Sequence, residues 1–89
     1  MYKKSVTVVN ESGLHARPAA DFVGKAGTFL SSISISKLGN PIVANAKSIV
    51  FVLSLGIQKG DSLEISADGS DEKEAVDSLI ALIESGFGE

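Results

Sequence analysis

Eighty-nine residues are enough for one domain with one modest core, and no apolar run reaches the roughly 18 residues that a membrane span needs. The chain contains no cysteine, which excludes a disulfide framework and a thiolate metal site. Its net charge of −3 is unevenly divided: residues 1–60 carry seven basic and two acidic side chains (a local +5), and residues 61–89 one basic and nine acidic (a local −8), which argues against general nucleic-acid binding and its strongly basic face.

Met1-Tyr2-Lys3-Lys4 leads straight into an alternating pattern and is not a secretory signal, so a cytoplasmic location is the simplest reading. Lys4-Ser5-Val6-Thr7-Val8-Val9 alternates with period two and predicts a half-buried strand. Asn10–Gly13 reads as a turn. From about Ala16, the apolar residues Ala19, Phe22, Val23 and Ala26 recur at helical spacing and predict a helix that ends near Gly27. Ser32–Ser36 alternates again as a second strand, and Leu38–Pro41 is a turn into a short third strand, Ile42–Ala44.

Ile49-Val50-Phe51-Val52-Leu53 is apolar throughout, and its β-branching suits a buried strand. Its flanks favour a short helix instead, with Ser48 as N-cap and Gly56 as the stop. A helix apolar on every side cannot bury all of itself in so small a domain, so part of it is expected to remain exposed. Gln58–Asp61 is a further turn and Leu63–Ala67 a fourth strand. The last helix starts at Ser70 or Asp71, has Glu72 and Glu74 at the favourable end of its dipole, buries Val76, Leu79, Ile80 and Ile83, and stops at Gly86. The order β-α-β-β-α-β-α predicts an α+β two-layer sandwich in one domain, 1–89, its four-stranded and mainly antiparallel sheet covered on one side.

Gly13-Leu14-His15-Ala16-Arg17-Pro18-Ala19-Ala20 holds the only histidine and the only arginine of the chain. It has the form of a loop entering a helix: Gly13 permits unusual backbone angles, and Pro18 fits a first turn where its missing N–H costs nothing. His15 is expected at the helix N-terminus, where free N–H groups of residues such as Ala16 and Arg17 favour an anion. A metal site would have to combine one histidine with scattered carboxylates, so none is expected. A Ser-His-Asp triad stays open, although no nucleophile elbow occurs. There is no Gly-rich phosphate loop for a nucleotide. What remains is His15 as a nucleophile, since neutral imidazole attacks well near neutral pH. The surrounding N–H groups and the Arg17 guanidinium would hold a phosphoryl group once attached without driving its transfer unaided. A carrier fits better than an enzyme, and no cofactor is called for. Arg17, Lys25 and Lys47 are candidates for a mildly positive patch beside His15, suited to an acidic protein partner, while for any single lysine solvated surface charge is the better reading.

The stretch Gly13–Ala19 closely resembles the active-site signature of HPr, the histidine-containing phosphocarrier family of the bacterial sugar phosphotransferase system. Asn45-Ala46-Lys47-Ser48-Ile49 with Leu53–Gly56 resembles that family's regulatory serine segment. The resemblance implies the open-faced β-sandwich. It implies that His15 takes a phosphoryl group on Nδ1 from phospho-Enzyme I and passes it to a IIA domain of a sugar permease, with Arg17 balancing the charge. It also implies that Ser48 is the serine modified in Gram-positive relatives by HPr kinase/phosphorylase, after which the catabolite control protein CcpA is a partner. The partner surface would combine Ala16 and Ala20 with Lys47, Ile49, Val50 and Leu53. A monomer that neither binds nucleic acid nor inserts into a membrane is expected. The runner-up is an HPr-like regulatory binding module that acts through Ser48 phosphorylation and transfers little phosphate. Val50, Phe51 and Ala46 depart from the residues common in the family, and extra residues stand near Leu38–Pro41.

Overall fold

The alternating stretches become strands because each has one apolar face to bury. In the computed structural model, which describes residues 1–89, β1 is Tyr2–Thr7, β2 Ser32–Lys37, β3 Val43–Asn45 and β4 Ser62–Asp68. They form one sheet in the order β1-β4-β2-β3, with every pair antiparallel. The registers Val6↔Leu63, Ile35↔Ile65 and Ile35↔Ala44 place apolar residues side by side on one face. On the other face Ser32, Ser34 and Ser36 of β2 lie opposite Asp68, Ser66 and Glu64 of β4, so one side is a core wall and the other a solvated, serine-rich surface.

Three helices cover the apolar side: α1 (Ala16–Ala26), α2 (Ile49–Ser54) and α3 (Glu72–Glu84). Helix α3 packs on β1 and β4, while α1 lies against both α2 and α3. The shared core contains Phe22 of α1, Val52 of α2 and Val76, Leu79 and Ile83 of α3, together with Leu14, Ile57 and the inward strand residues. The expected element order and the one-sided, open sandwich are therefore present.

Several boundaries move for identifiable reasons. The first strand runs from Tyr2 to Thr7 rather than from Lys4 to Val9, because its ladder with β4 spans Tyr2↔Ala67 to Thr7↔Ser62. Val8 instead pairs with the turn through Val8 N–H to the Asp61 carbonyl (2.9 Å) and Gly60 N–H to the Val8 carbonyl (2.8 Å). The third strand lies one residue later than Ile42–Ala44, since Ala44 must face Ile35 and the next residue inward, Ala46, donates to the Ile33 carbonyl (2.9 Å). Helix α2 ends on Leu55, with Gly56 following at φ +62. After Gly86 the chain makes one further tight turn, Gly86–Gly88.

The cap of α3 is the most informative correction. Asp71 stands at the N-cap position, but its carboxylate makes no capping bond. It accepts instead from Leu30 N–H (2.8 Å), Ser31 N–H (3.0 Å) and Ser31 Oγ, tying the α1–β2 connection to the start of α3. These bonds, led by that from the Ser31 hydroxyl, hold the Asp71 carboxyl below its ordinary range. Gly69 is required beside this clamp, because a Cβ there would stand 2.5 Å from Ser31 Oγ.

Candidate functional site

The loop before α1 is built from both sides. Gly13 has φ +63, and a Cβ on it would meet the Ile57 carbonyl oxygen at 2.4 Å, so only glycine fits. The next residue, Leu14, donates its N–H to that same carbonyl (3.2 Å) and is fully buried. On the other side the buried Asn10 donates through Nδ2 to the Gly13 carbonyl (2.9 Å), and Gly13 N–H returns to the Asn10 carbonyl (3.2 Å). The residue that follows this braced corner is His15.

His15 is the N-cap of α1, in extended backbone (φ −127, ψ 161), and its carbonyl accepts from Ala19 N–H at 3.5 Å. Its half-buried side chain makes no capping bond, so the imidazole is not consumed in holding the helix. The N–H groups of Ala16 and Arg17 find no acceptor within the chain, and Pro18 has none to satisfy. Ala16 sits at φ +50, a left-handed conformation costing roughly 1–2 kcal/mol for a residue with a Cβ. Arg17 is exposed and takes part in no ion pair. Strained backbone, two donors without acceptors and an uncommitted guanidinium thus adjoin one histidine. Charge-assisted bonds from such donors contribute about 1.5–3 kcal/mol each to an anion.

The second predicted segment lies on the neighbouring helix. Ser48 caps α2, its Oγ accepting from Phe51 N–H, at a length of 3.5 Å that marks a weak cap. Only Val52 of α2 is wholly buried, whereas Val50 is 68% exposed, Phe51 58% and Leu53 40%. The expected uncovered apolar surface is present, beside the exposed Ala16 and Ala20 of α1 in a fold that packs these two helices together.

Both lysines of the candidate cationic patch have other engagements. Lys25 lies in the last turn of α1, roughly 14 Å along the helix from Ala16, where its ammonium stands 6.0 Å from the Phe29 ring centroid. Lys47 donates to the Phe29 carbonyl (2.7 Å) and braces the α1–β2 connection. Helical rise separates the first lysine from His15, and an unpaired loop carbonyl captures the second. Arg17 is left as the cation of this helix end.

Sequence reasoning did not single out Asn10, Ser12 or Glu89. Asn10 and Ser12 read as ordinary turn residues. Glu89 reaches back over 77 positions to accept from Ser12 Oγ and Ser12 N–H (3.2 Å), and from Asn10 Nδ2 (3.4 Å). Led by the Ser12 hydroxyl, these bonds hold the Glu89 carboxyl below its ordinary range. No periodicity reports a contact of that span.

None of the surface concavities contains His15 or Ser48; the largest, about 550 Å³, is lined by residues of β1 together with Val9, Leu38, Ser62 and Glu84. No set of three His, Cys, Asp or Glu side chains is grouped to hold a metal, and no helix is long and apolar enough to cross a membrane. The half-buried His15 thus lies outside every surface concavity.

Comparison with known proteins matches residues 2–85 to the family model described as the PTS HPr component phosphorylation site. The chain is 46% identical over 83 residues to the phosphocarrier protein HPr of Haemophilus influenzae, covering 93% of this chain and 95% of that protein. It is also 46% identical over 84 residues to the HPr-like protein Crh of Halalkalibacterium halodurans, covering 94% and 98%. The crystal structure of HPr-C-His from Thermoanaerobacter tengcongensis superposes with a TM-score of 0.94 at 46% identity, over 100% of this chain and 98% of that one.

Proposed function

The chain belongs to the HPr family of phosphocarrier proteins, and from that premise we propose that it carries a phosphoryl group on His15 between two protein partners of a sugar phosphotransferase relay. Residues 1–89 act as one unit and as a monomer. The observation that carries this reading is the uncommitted His15 imidazole at the N-cap of α1, with the acceptor-free N–H groups of Ala16 and Arg17 beside it.

The step balances as a phosphoryl exchange. The Nδ1 lone pair of neutral His15 attacks the phosphorus of a phosphohistidine on Enzyme I. The new N–P bond forms as the N–P bond to the donor histidine breaks, and the donor leaves as neutral imidazole. The reverse sequence on a histidine of a IIA domain discharges the carrier. Ala16 and Arg17 N–H groups and the Arg17 guanidinium offset the phosphoryl charge while it is held. The chain supplies no large driving force, and the chemistry is close to symmetrical between two histidines. Docking uses Ala16, Ala20, Ile49, Val50 and Leu53, with Lys47 at the edge of the patch. The interface belongs to the transient class, under about 1,200 Å².

The test is incubation with Enzyme I and phosphoenolpyruvate. The expected product is one phosphate per chain, lost in mild acid as a phosphoramidate is, and absent in His15→Ala. Label that survives acid, or that persists in the variant, refutes the carrier reading.

A second reading is supported by Ser48 at the head of an exposed apolar helix and by the similarity to Crh. Here phosphorylation of Ser48 by an HPr kinase/phosphorylase, followed by binding to CcpA, is the main activity. A phosphate at Ser48 adds about −1.5 to −2 charges at a helix start that tolerates them, beside apolar residues that dock partners. In the carrier reading, Ser48→Asp slows phosphoryl uptake from Enzyme I with little loss of stability; an unchanged rate removes the proposed charge repulsion. Acid-stable label with kinase and ATP, and none with Enzyme I, decides for the second reading.

A further inference from the structure

The loop that presents His15 is gripped from two sides by different chemistry. On one side stands the Ile57 backbone, against which Gly13 packs and to which Leu14 donates. On the other side stands a single side chain, that of Glu89. Its two carboxylate oxygens accept from Ser12 Oγ, Ser12 N–H and Asn10 Nδ2. Asn10 relays the grip directly to the corner, because the same Nδ2 donates to the Gly13 carbonyl at 2.9 Å. The second oxygen of Asn10, Oδ1, is buried without a partner, so the orientation of this amide rests on its donors alone.

Glu89 is itself held in place. The turn Gly86–Gly88 packs against the loop, with the Cβ position of Gly86 3.8 Å from Val9 and 4.0 Å from Asn10. Phe87 lies against the core cluster, and Glu89 N–H donates to the Gly86 carbonyl at 3.0 Å. The carboxylate is thus a strut with a fixed base. It faces the turn three to five residues before His15 and makes no hydrogen bond to a residue of α2.

We infer that Glu89 is a positioning residue for phosphoryl acceptance: by clamping Asn10 and Ser12 it fixes the corner at Gly13 and thereby the direction in which the His15 imidazole faces the donor. The inference rests on the carrier reading above. It follows from the sensitivity of group transfer to alignment, since a misplacement of about 1 Å can cost on the order of 100-fold in rate. It also separates Glu89 from the docking residues, because a carboxylate that aligns the acceptor acts after the partners have met.

The experiment compares the parent with Glu89→Ala, Glu89→Gln and Ser12→Ala/Glu89→Ala in steady-state phosphorylation by Enzyme I and phosphoenolpyruvate. Backbone amide exchange is followed by NMR in the same samples. Glu89→Ala is expected to lower kcat roughly 3- to 10-fold with KM for the carrier within about twofold, and to speed exchange at Gly13 and Leu14 roughly 10-fold. Glu89→Gln keeps the shape but turns one acceptor into a donor, so its kcat should lie between. The double variant should be no slower than Glu89→Ala, because Ser12 acts through the same carboxylate. A purely structural strut predicts a lower Tm with kcat and loop exchange at parental values, and that result overturns the inference. Glu89→Gln at parental kcat does so as well, even if Glu89→Ala fails to fold. A parent that accepts no phosphate refutes the carrier reading itself, and this is visible before any variant is made.

Discussion

Helices α1 and α2 share a sheet face and a core yet use their N-termini in opposite ways. At α1 the capping residue His15 leaves its side chain out of the helix, and Pro18, Ala19, Phe22 and Ala26 are buried beneath it. At α2 the capping residue Ser48 spends its hydroxyl on Phe51 N–H, and only Val52 is buried. One helix is firmly seated and leaves its polar end uncommitted. The other commits its polar end and leaves its apolar side uncovered. A rigid platform suits chemistry at a fixed point, whereas an uncovered apolar surface suits association, which is the division that the proposed carrier function calls for.

The strongest way to break the contrast is to unseat α1. Phe22 is wholly buried in the shared core, and Phe22→Ala should cost about 3–5 kcal/mol in chemical denaturation. If the seating of α1 supports the site, phosphoryl uptake should fall as well while the chain is still folded. Next in size is Arg17→Ala, which removes a guanidinium without a protein partner. Stability should stay within about 0.5 kcal/mol, while phosphoryl uptake should fall roughly 10- to 150-fold, the rate equivalent of about 1.5–3 kcal/mol of charged hydrogen bonding.

A pair of substitutions sharpens the account of α2. Val52→Ala empties fully buried volume and should cost about 2 kcal/mol by denaturation. Val50→Ser, at its exposed neighbour, should change stability by no more than about 0.5 kcal/mol and yet weaken Enzyme I binding, measured by calorimetry, by about tenfold. If Val50→Ser leaves binding unchanged, the uncovered face is not the docking surface. Ser48→Ala should cost only about 0.5 kcal/mol, the low end for a cap, because the bond it removes is 3.5 Å long.

The smallest and most gradual effect is that of acid. Asp61, Asp71, Glu72, Asp77 and Glu89 all have carboxyls held below their ordinary values, in each case chiefly by hydrogen bonds and ion pairs. Their folded values lie below the unfolded ones, so their contribution is fully present above about pH 4.5 and is lost as pH falls through the folded values. Stability followed by thermal unfolding should therefore decline below about pH 4.5 and stay level for these groups between pH 5 and 7. The Tyr2–Lys4–Asp77 cluster gives this a local test. Tyr2 Oη and Lys4 Nζ both lie 2.9 Å from Asp77 Oδ1, and Asp77→Asn should flatten part of the acid slope.

Much of this molecule is legible in its amino-acid order. Period-two alternation in Ser32–Ser36 and Leu63–Ala67, and helical spacing of Ala19, Phe22 and Ala26, report which residues face the core. Burial is a local consequence of repeating geometry. Ser48 and Gly56 override the strand preference of the apolar run between them, and the structure agrees because caps satisfy groups that a strand could not place there. The chemistry of the Gly13–Ala20 stretch is equally local: one imidazole, one guanidinium and a helix start are contiguous.

What the order of residues does not contain is the identity of distant partners. The N-cap position of Asp71 is predictable, but its use as a clamp on Leu30 and Ser31 depends on where the α1–β2 connection passes. Lys47 looks like surface charge until the Phe29 carbonyl stands beside it. Glu89 looks like one more acid of an acidic stretch until the fold brings it against Ser12 and Asn10. Periodicity encodes which side of an element is inward, and residue type encodes what chemistry is available. The pairing of polar groups across 18, 40 or 77 positions was decided only when the layers closed, because a hydrogen bond depends on ångström-scale placement that no short-range pattern carries.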